Sequence, residues 1–274
     1  MRPWGLGRAV HEAVWRIEPV GWPRGQRLRI VMLADLHAGM PQMGPDRIAG
    51  IVAQANRLRA DLTVLLGDYR ADYPFQGAAV PIEAVAPILS LLSAPLGVWA
   101  VQGNHDWRDD VWASRNRTGP TRTQTALQAS GLPVLENRAV RLTVPGGAAF
   151  WLAGLGSQGA FTKKMRAGIQ GAHDLPATLA QVTDGAPVIL LAHEPDIFAA
   201  LPDRACLTLS GHTHGGQITL FGRPLVVPSA YGRRYAYGHV REGSRDLVVS
   251  GGLGCSGLPL RFGRPPEITV VDLS

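Results

Sequence analysis

Short apolar runs alternate along the chain with segments whose apolar residues recur at helical spacing. The apolar runs predict strands at residues 27–34, 62–66, 96–101, 138–144, 148–153, 188–192, 205–209, 218–221, 247–250 and 267–272. The segments between them predict helices at residues 45–58, 82–93 and 121–129, with a helical turn or two at 195–201. Strands that alternate with helices are typical of the α/β class.

Side chains that can bind a metal ion follow five of the predicted strands, each at the point where the strand ends. They are Asp35 and His37, Asp68, Asn104 and His105, His193, and His212 with His214. In open α/β sheets, ligands bind beyond the carboxyl ends of the strands. Any one of these residues alone is better explained as a cap or a hydrogen-bonding group, but their repetition at five strand ends predicts a metal site.

The segment after the fifth of these strands, residues 211–217, places His212 and His214 between glycines. In an extended segment, alternate side chains point to the same side, so both imidazoles can face one point beyond the strand end. The neighbouring glycines let the backbone turn tightly and let another group approach it closely. The pair alone is a weak signal, and it gains weight from the four other strand ends.

The ligand types narrow the chemistry of the predicted site. Oxygen and imidazole ligands without thiolate suit Zn, Mn, Fe, Ni or Co, and the ligands are too many for one tetrahedral ion. A carboxylate can bridge two ions held roughly 3.5–4 Å apart, which clamp a phosphate and lower the pKa of a bound water. A serine or cysteine nucleophile is not supported, because residues 254–257 do not form the Gly-x-Ser-x-Gly motif.

Composition and charge narrow the class of protein without identifying a function. The chain has 274 residues, of which 46% are hydrophobic, which is enough for one large core or two small ones. Its net charge of +6 suits an anionic partner such as a phosphate ester, a nucleic acid or a membrane surface. A general enrichment in arginine that improves solubility is the alternative. Cys206 and Cys255 form no disulfide framework or zinc motif, and Cys206 is expected to be a buried free thiol.

Neither a secretory signal nor a membrane-spanning segment is predicted. Residues 1–22 lack the continuous apolar segment of a secretory signal. The apolar stretch at 78–101 resembles a transmembrane segment, but Pro81, Pro87 and Pro95 interrupt it. We therefore interpret this stretch as a buried helix followed by a strand.

The order of the motifs resembles that of the calcineurin-like metallophosphoesterases. Five blocks match this family: Asp35-x-His37, Gly67-Asp68, Gly103-Asn104-His105-Asp106, His193 and Gly211-His212-x-His214. The resemblance covers residues 27–273. It implies an α/β fold of four layers, an α-β-β-α sandwich of two mixed sheets flanked by helices. It also implies a dinuclear centre that binds two divalent transition-metal ions: Mn, Zn, Fe, Ni or Co.

The resemblance also implies a role for each motif residue. Seven side chains are expected to hold the two ions: Asp35, His37 and His214 the first, Asn104, His193 and His212 the second, and Asp68 both. His105 resembles the family histidine that stabilises the transition state and protonates the leaving oxygen. Asp106 is expected to orient that histidine.

Within the family, residues 211–217 and the closing region 227–267 resemble a bacterial branch of small phosphodiesterases and nucleotide-lipid pyrophosphatases. The expected activity is hydrolysis of a phosphodiester or pyrophosphate bond through a metal-bound hydroxide. A membrane-surface pyrophosphatase that cleaves a nucleotide-diphosphate lipid such as UDP-diacylglucosamine is the alternative. A noncatalytic metal- or nucleic-acid-binding module is a further alternative, which the intact ligand set disfavours. Tyr69-Arg70 follows Asp68 in place of the Asp-Arg-Gly continuation of protein phosphatases, which argues against a phosphoprotein substrate.

The N-terminal residues are expected to form an amphipathic extension, 1–26, ahead of a catalytic domain, 27–274. Apolar residues at helical spacing predict a helix over 4–17. One interpretation packs this helix against the sandwich. The other lays it on the cytoplasmic face of a membrane, since tryptophan and basic residues favour that interface. A cytoplasmic protein is expected, with a phosphate-ester or pyrophosphate substrate and no specific nucleic-acid or protein partner.

Overall fold

The computed structural model describes residues 9–70, 78–162 and 164–274. The strands and α-helices in these residues are, in chain order, β1 (His11–Ile17), β2 (Leu28–Leu33), α1 (Pro45–Arg57), β3 (Leu62–Leu65), α2 (Ile82–Leu89), β4 (Val98–Ala100), α3 (Asn104–Arg108), α4 (Val111–Asn116), α5 (Arg122–Ala129), β5 (Arg138–Thr143), β6 (Ala149–Gly154), α6 (Leu175–Ala180), β7 (Val188–Leu191), β8 (Ala205–Ser210), β9 (Thr219–Leu220), β10 (Arg223–Pro224), β11 (Gly238–Glu242), β12 (Arg245–Val249) and β13 (Glu267–Leu273). Short 3₁₀ helices cover Pro195–Ala200 and His214–Gly216.

The strands form two large mixed sheets and one small hairpin. The first sheet has the strand order β1-β13-β2-β3-β4, in which β2, β3 and β4 are parallel and β13 is antiparallel to β2. The second sheet has the order β11-β12-β8-β7-β6-β5, with parallel strands from β12 to β6 and an antiparallel strand at each edge. Strands β9 and β10 form a separate two-stranded antiparallel sheet.

The two sheets pack face to face, and helices cover their outer faces. Successive side chains of a strand point to opposite faces. Ile30 and Ile189 therefore join the core between the sheets, while Val31 packs under α1, α2 and α5, and Leu190 packs under the 3₁₀ helix at Pro195–Ala200. Both faces of the central strands are buried, which explains their continuous apolar sequences. The predicted four-layer α-β-β-α sandwich is confirmed.

Helix α1 illustrates how the apolar spacing determines the outer layer. The helix begins at Pro45, whose fixed φ suits the first helical position. Ile48, Ile51, Val52 and Ala55 lie three or four residues apart and are buried against the first sheet. The predicted helix at 45–58 is therefore confirmed.

The N-terminal segment differs from the prediction. Residues 11–17 form β1, an edge strand that pairs in parallel with β13, so the predicted helix is wrong for these residues. Ala13, Trp15 and Ile17 alternate with more exposed residues, which is the two-residue period of a half-buried strand. The first part of the predicted helix, residues 4–8, lies outside the described residues. The division of the chain at residues 26 and 27 stays a prediction.

The apolar stretch at 78–101 contains α2 and β4, the helix and strand predicted for it. Within the described ranges, every helix is too short or too polar to cross a bilayer. Cys206 is a buried free thiol, as predicted, and Cys255 is buried as well.

Candidate metal centre

The predicted ligands lie together at the carboxyl ends of parallel strands from both sheets. In the first sheet the relevant strands are β2, β3 and β4, and in the second they are β7 and β8. Hydrogen bonds join the two sheets at this end: the His212 amide donates to Asp35 Oδ1 at 3.0 Å, and the Leu253 amide donates to the Ala34 carbonyl at 3.0 Å. The strand-end pattern in the sequence therefore corresponds to one place in the fold.

The backbone at this place is strained. Five of the ten described non-glycine residues with positive φ are predicted ligands: Asp35, His37, Asp68, His212 and His214. A left-handed backbone costs a side-chain-bearing residue about 1–3 kcal/mol and persists where the surrounding structure enforces it. Such residues cluster at functional sites, and here they turn each chain segment sharply just after its strand.

The first ligand group consists of Asp35, His37 and His214. Their ligand atoms lie within 4.8 Å of one another, and all three side chains are buried. The Nε2 atoms of His37 and His214 are 3.1 Å apart, and His214 Nε2 is 3.8 Å from Asp35 Oδ1. These donor atoms converge on a volume that could hold one metal ion.

The second ligand group consists of Asp68, His193 and His212, with Asn104 beside them. The ligand atoms of Asp68, His193 and His212 again lie within 4.8 Å of one another. His193 Nε2 is 3.3 Å from Asp68 Oδ2 and 3.2 Å from Asn104 Oδ1. Asp68 Oδ2 is also 3.5 Å from Nε2 of His37, so this carboxylate lies between the two groups. The grouping matches the expected pairs of ligand sets, and the individual roles stay predictions.

The hydrogen bonds of the second group fit a bound cation. His193 Nδ1 donates to the Leu66 carbonyl at 2.6 Å, and His212 Nε2 donates to the Pro228 carbonyl at 2.8 Å. His193 Nε2 and His212 Nδ1 therefore face the group. The Asn104 side-chain amide faces both of these nitrogens. With its oxygen turned to them, a cation between the three side chains would take one ligand atom from each.

Burial favours the uncharged forms of three of the group members, Asp35, His212 and His214. Burial raises the pKa of Asp35 to about 7, against the opposing effect of the nearby His193 charge. Burial and the His193 charge lower the pKa of His212 to about 4, and burial with the His37 charge lowers the pKa of His214. Neutral imidazoles are the form that binds a divalent ion, whereas the Asp35 carboxyl must lose its proton when the ion binds.

His105 lies beside both groups at the floor of the cleft. Its backbone amide donates to Asp68 Oδ1 at 2.9 Å. Its ring packs edge-on against the ring of His37, with centroids 5.0 Å apart. His105 also lines the cleft, where a general acid must lie to reach a substrate.

Asp106 accepts hydrogen bonds from three backbone amides. Its Oδ2 accepts from the amides of Gly103 and Asp68, both at 2.8 Å, and its Oδ1 accepts from the Tyr69 amide at 3.1 Å. Asp106 is the third residue of α3, the position from which a carboxylate reaches back to the residue before the helix. Asp106 therefore holds the Asp68 turn against α3, and its expected orientation of His105 stays a prediction.

The motif glycines bring the ligand segments into close contact. A Cβ at Gly103 would lie 2.7 Å from the Asp68 amide nitrogen, and one at Gly211 would lie 2.9 Å from Asp35 Oδ2. Such approaches are shorter than van der Waals contact, so a side chain at either position would push the two predicted ligand loops apart.

Members of both groups line an open cleft of about 710 Å³: His214 of the first, and Asp68 and His212 of the second, with Asn104 beside them. Residues 225–228 and 256–258 also line it, and we call them the cleft wall. Arg108 and Lys164 line the cleft as well. The cleft is large enough for a small ligand with groups on both sides of a phosphate.

Two buried charged residues near the groups carried no signal in the sequence. Arg261 donates through Nε to the Gly254 carbonyl at 2.6 Å and through a terminal nitrogen to His214 Nδ1 at 3.0 Å. Glu194 follows His193 and accepts from the Gly159 amide at 2.9 Å, which fixes the loop beside Asn104. Arg261 lies 47 residues after His214 in a loop without any periodic pattern, so only the fold brings the two together.

Comparison with known proteins agrees with the geometry of the site. The model of the family described as calcineurin-like phosphoesterase matches residues 28–216. An uncharacterized metallophosphoesterase of Bacillus subtilis, YkuE, is 33% identical over 89% of this chain and 78% of its own length. The phosphodiesterase YaeI of Escherichia coli is 31% identical over 89% of this chain and 82% of its own length.

A third relative extends the similarity across nearly the whole of both chains. An uncharacterized metallophosphoesterase of Aquifex aeolicus is 28% identical over 94% of this chain and 90% of its own length. The family match ends at residue 216, just after the second histidine of the His-x-His pair, and therefore spans all the predicted ligands. The chain is a member of the calcineurin-like phosphoesterase family.

Proposed function

We propose that this protein hydrolyses a phosphodiester or pyrophosphate bond with two divalent metal ions held by the first and second ligand groups. The observation that supports this most directly is the position of Asp68. One of its oxygens lies 3.5 Å from His37 of the first group and 3.3 Å from His193 of the second. A carboxylate so placed can serve both ions, which is the arrangement of two-metal hydrolytic sites.

The two ions, when bound, supply positive charge against the phosphate and lower the pKa of a water that attacks it. The protein's own side chains hold the ions and the substrate in position and protonate the leaving group. The strained turns after the strands fix the donor atoms before the metal arrives. His105 lies at the cleft floor beside His37, from where its imidazole donates a proton to the departing oxygen.

A diester or pyrophosphate fits the cleft better than a monoester does. A monoester places a single organic group beside the phosphate, whereas the cleft is lined both by the apolar residues Leu225, Val226 and Leu258 and by the basic residues Arg108 and Lys164. The apolar wall accepts an organic group, and the basic residues accept a second charge. The name of the relative YaeI, a phosphodiesterase, points in the same direction.

A nucleotide-diphosphate lipid such as UDP-diacylglucosamine is the second candidate substrate. Leu225, Val226 and Leu258 on the cleft wall are exposed apolar side chains that could contact an acyl chain. Lys164, which lines the cleft as well, is a candidate contact for the diphosphate. A noncatalytic binding module is disfavoured, because the described structure retains both ligand groups with buried donor atoms.

The test is hydrolysis by the metal-loaded full chain of four substrates: a phosphomonoester, a phosphodiester, a cyclic nucleotide and a nucleotide-diphosphate lipid. We expect the diester or the pyrophosphate of the lipid to be cleaved with the highest kcat/KM. A chain carrying Asp68→Asn is the matched control, since contaminating hydrolases would act equally in both preparations. Full metal loading without cleavage of any of the four would contradict the proposal.

A further inference from the structure

Exposed apolar side chains are concentrated beside the mouth of the cleft. Seven of the thirteen large apolar side chains exposed in the described residues lie within 220–226 and 258–262. They are Leu220, Phe221, Leu225, Val226, Leu258, Leu260 and Phe262, which we call the apolar rim. Scattered exposed apolar residues are normal, whereas a contiguous group marks an interaction surface.

Hydrogen bonds make the two segments of the apolar rim one surface. The Thr219 amide donates to the Phe262 carbonyl at 2.8 Å. Gln217, which ends the glycine-histidine segment, donates through Nε2 to the Leu258 carbonyl at 2.9 Å. The rim is therefore fixed to the predicted ligand loop, and Leu225, Val226 and Leu258 continue it into the cleft wall.

The tip of the β9–β10 hairpin bears a residue that the fold does not require. Leu220 pairs with Arg223, which leaves Phe221 and Gly222 as a two-residue turn with φ values of 49° and 74°. Turns with two positive φ angles prefer Asn-Gly or Gly-Gly, and a bulky side chain there is strained. Phe221 is 95% exposed, so it makes almost no contact within the chain. Both the strain and the exposure indicate a role outside the molecule.

The charge around the apolar rim indicates the kind of partner. Residues 211–240 and 251–266 contain no aspartate or glutamate. Four of their five arginines are exposed or half-buried, Arg223, Arg233, Arg234 and Arg264, whereas Arg261 is buried. Arg108 and Lys164 add two basic side chains to the lining of the cleft. Apolar side chains surrounded by basic ones are suited to an anionic lipid surface. A projecting hairpin tip also fits a fluid bilayer, which adapts to any shape, better than the flat surface of most protein interfaces.

We propose that the apolar rim inserts into the surface of an anionic lipid bilayer and turns the mouth of the cleft toward it. This membrane contact differs from the one predicted for the N-terminal helix, because residues 11–17 form an edge strand of the first sheet. Lipid binding by the rim is independent of the proposed hydrolysis. Membrane binding by the rim also implies that the phosphate to be cleaved belongs to a lipid headgroup. This second statement rests on the proposed function.

The test is co-sedimentation of the full chain with vesicles of phosphatidylglycerol and phosphatidylcholine, compared with vesicles of phosphatidylcholine alone. We expect binding to the anionic vesicles that weakens as salt is added, because exposed charges are screened. The double substitution Phe221→Asn with Leu220→Thr should lower the partition coefficient by about tenfold or more, since it removes two side chains that would be buried in lipid.

The double variant should stay folded, because asparagine suits the turn better than phenylalanine and threonine suits a strand. Its midpoint of thermal unfolding should equal or exceed that of the unsubstituted protein. The matched control is Leu91→Gln, which changes an exposed leucine just after α2 and should leave vesicle binding unchanged.

Three results would overturn the proposal: no binding of the unsubstituted protein to anionic vesicles, equal binding by the double variant, or a dimer in sedimentation equilibrium that the double variant loses. The last would assign the rim to a second copy of the chain. Hydrolysis of a water-soluble diester by the same preparation separates the two proposals. Vesicle binding without any hydrolysis contradicts only the proposed function, and hydrolysis without vesicle binding contradicts only the rim.

Discussion

The two ligand groups use the same residue types but differ in what holds their histidines. In the second group, His193 and His212 each donate to a backbone carbonyl, those of Leu66 and Pro228. These bonds turn the other ring nitrogen toward the group, where it can bind a metal once it is deprotonated. In the first group, a terminal nitrogen of Arg261 lies 3.0 Å from His214 Nδ1.

That contact gives His214 the opposite tautomer. A guanidinium can only donate, so Nδ1 of His214 must accept, and the proton of the neutral ring is assigned to Nε2. Nε2 is the atom that faces His37. A metal ion at the first group must therefore displace that proton or break the Arg261 contact, and it is repelled by a buried positive charge. The two groups are therefore expected to differ in their affinity for a metal ion, because different atoms contact the ring nitrogens that point away from the site.

The largest effect is expected at Asp68, whose carboxylate lies between the two groups. Asp68→Asn removes the negative charge between them, so both ions should bind more weakly and hydrolysis should be almost abolished. Asp35→Asn should empty mainly the first group. Elemental analysis of the purified variants measures both outcomes. Two ions per chain and normal turnover in Asp68→Asn would refute the shared role.

His105 belongs to neither group, and its removal should leave both occupied. His105→Ala should slow cleavage of alkyl leaving groups by about 10²–10⁴ through loss of general acid catalysis. An activated aryl ester needs little protonation of its leaving oxygen and should be affected less. Single-turnover rates on the two classes of ester measure this difference. Equal losses for both would show that His105 is not the acid.

The comparison between the groups predicts an order of filling. At less than one ion per chain, metal should occupy the second group first, with an affinity about tenfold or more above that of the first. Calorimetric titration should show two phases, and anomalous scattering should locate the first ion beside His193. Arg261→Gln removes the buried charge and should bring the two affinities closer together. Initial occupancy beside His214 would contradict the proposed asymmetry.

The sequence predicts the ligand residues at the strand ends better than the residues that surround them. Strands such as β2 and β7 are buried on both faces, so their continuous apolar sequence fixes where each one ends. The polar residues that follow are then placed by the parallel arrangement alone. Asp35, Asp68 and His193 could be brought together in this way without knowledge of any side-chain contact.

Other features depended on contacts that the sequence does not display. Ala13, Trp15 and Ile17 fit a period of two, while Val10, Val14 and Ile17 suggest a helix. Pairing with β13, at the other end of the chain, decides between them. Asp106 is adjacent to His105 in sequence, but the start of α3 directs its carboxylate to backbone amides.

The smallest expected effect is the dependence of metal binding on pH. Without metal, burial raises the pKa of Asp35 to about 7, so the folded chain binds more protons here than the unfolded chain between about pH 4 and 7. Stability without metal therefore falls as pH rises through that range. A metal ion must displace this proton, so the gain in unfolding temperature on adding metal should be larger at pH 8 than at pH 6, by about a few degrees.

The second group also loses a proton when a metal ion binds. Burial lowers the pKa of His193, but the nearby carboxylates, with Asp68 the strongest, together outweigh burial and raise it. Asp35→Asn should accordingly release fewer protons on metal binding than the unsubstituted protein, as measured by calorimetry in buffers of different ionisation enthalpy. An equal release by both proteins would show that Asp35 is already ionised before the metal binds.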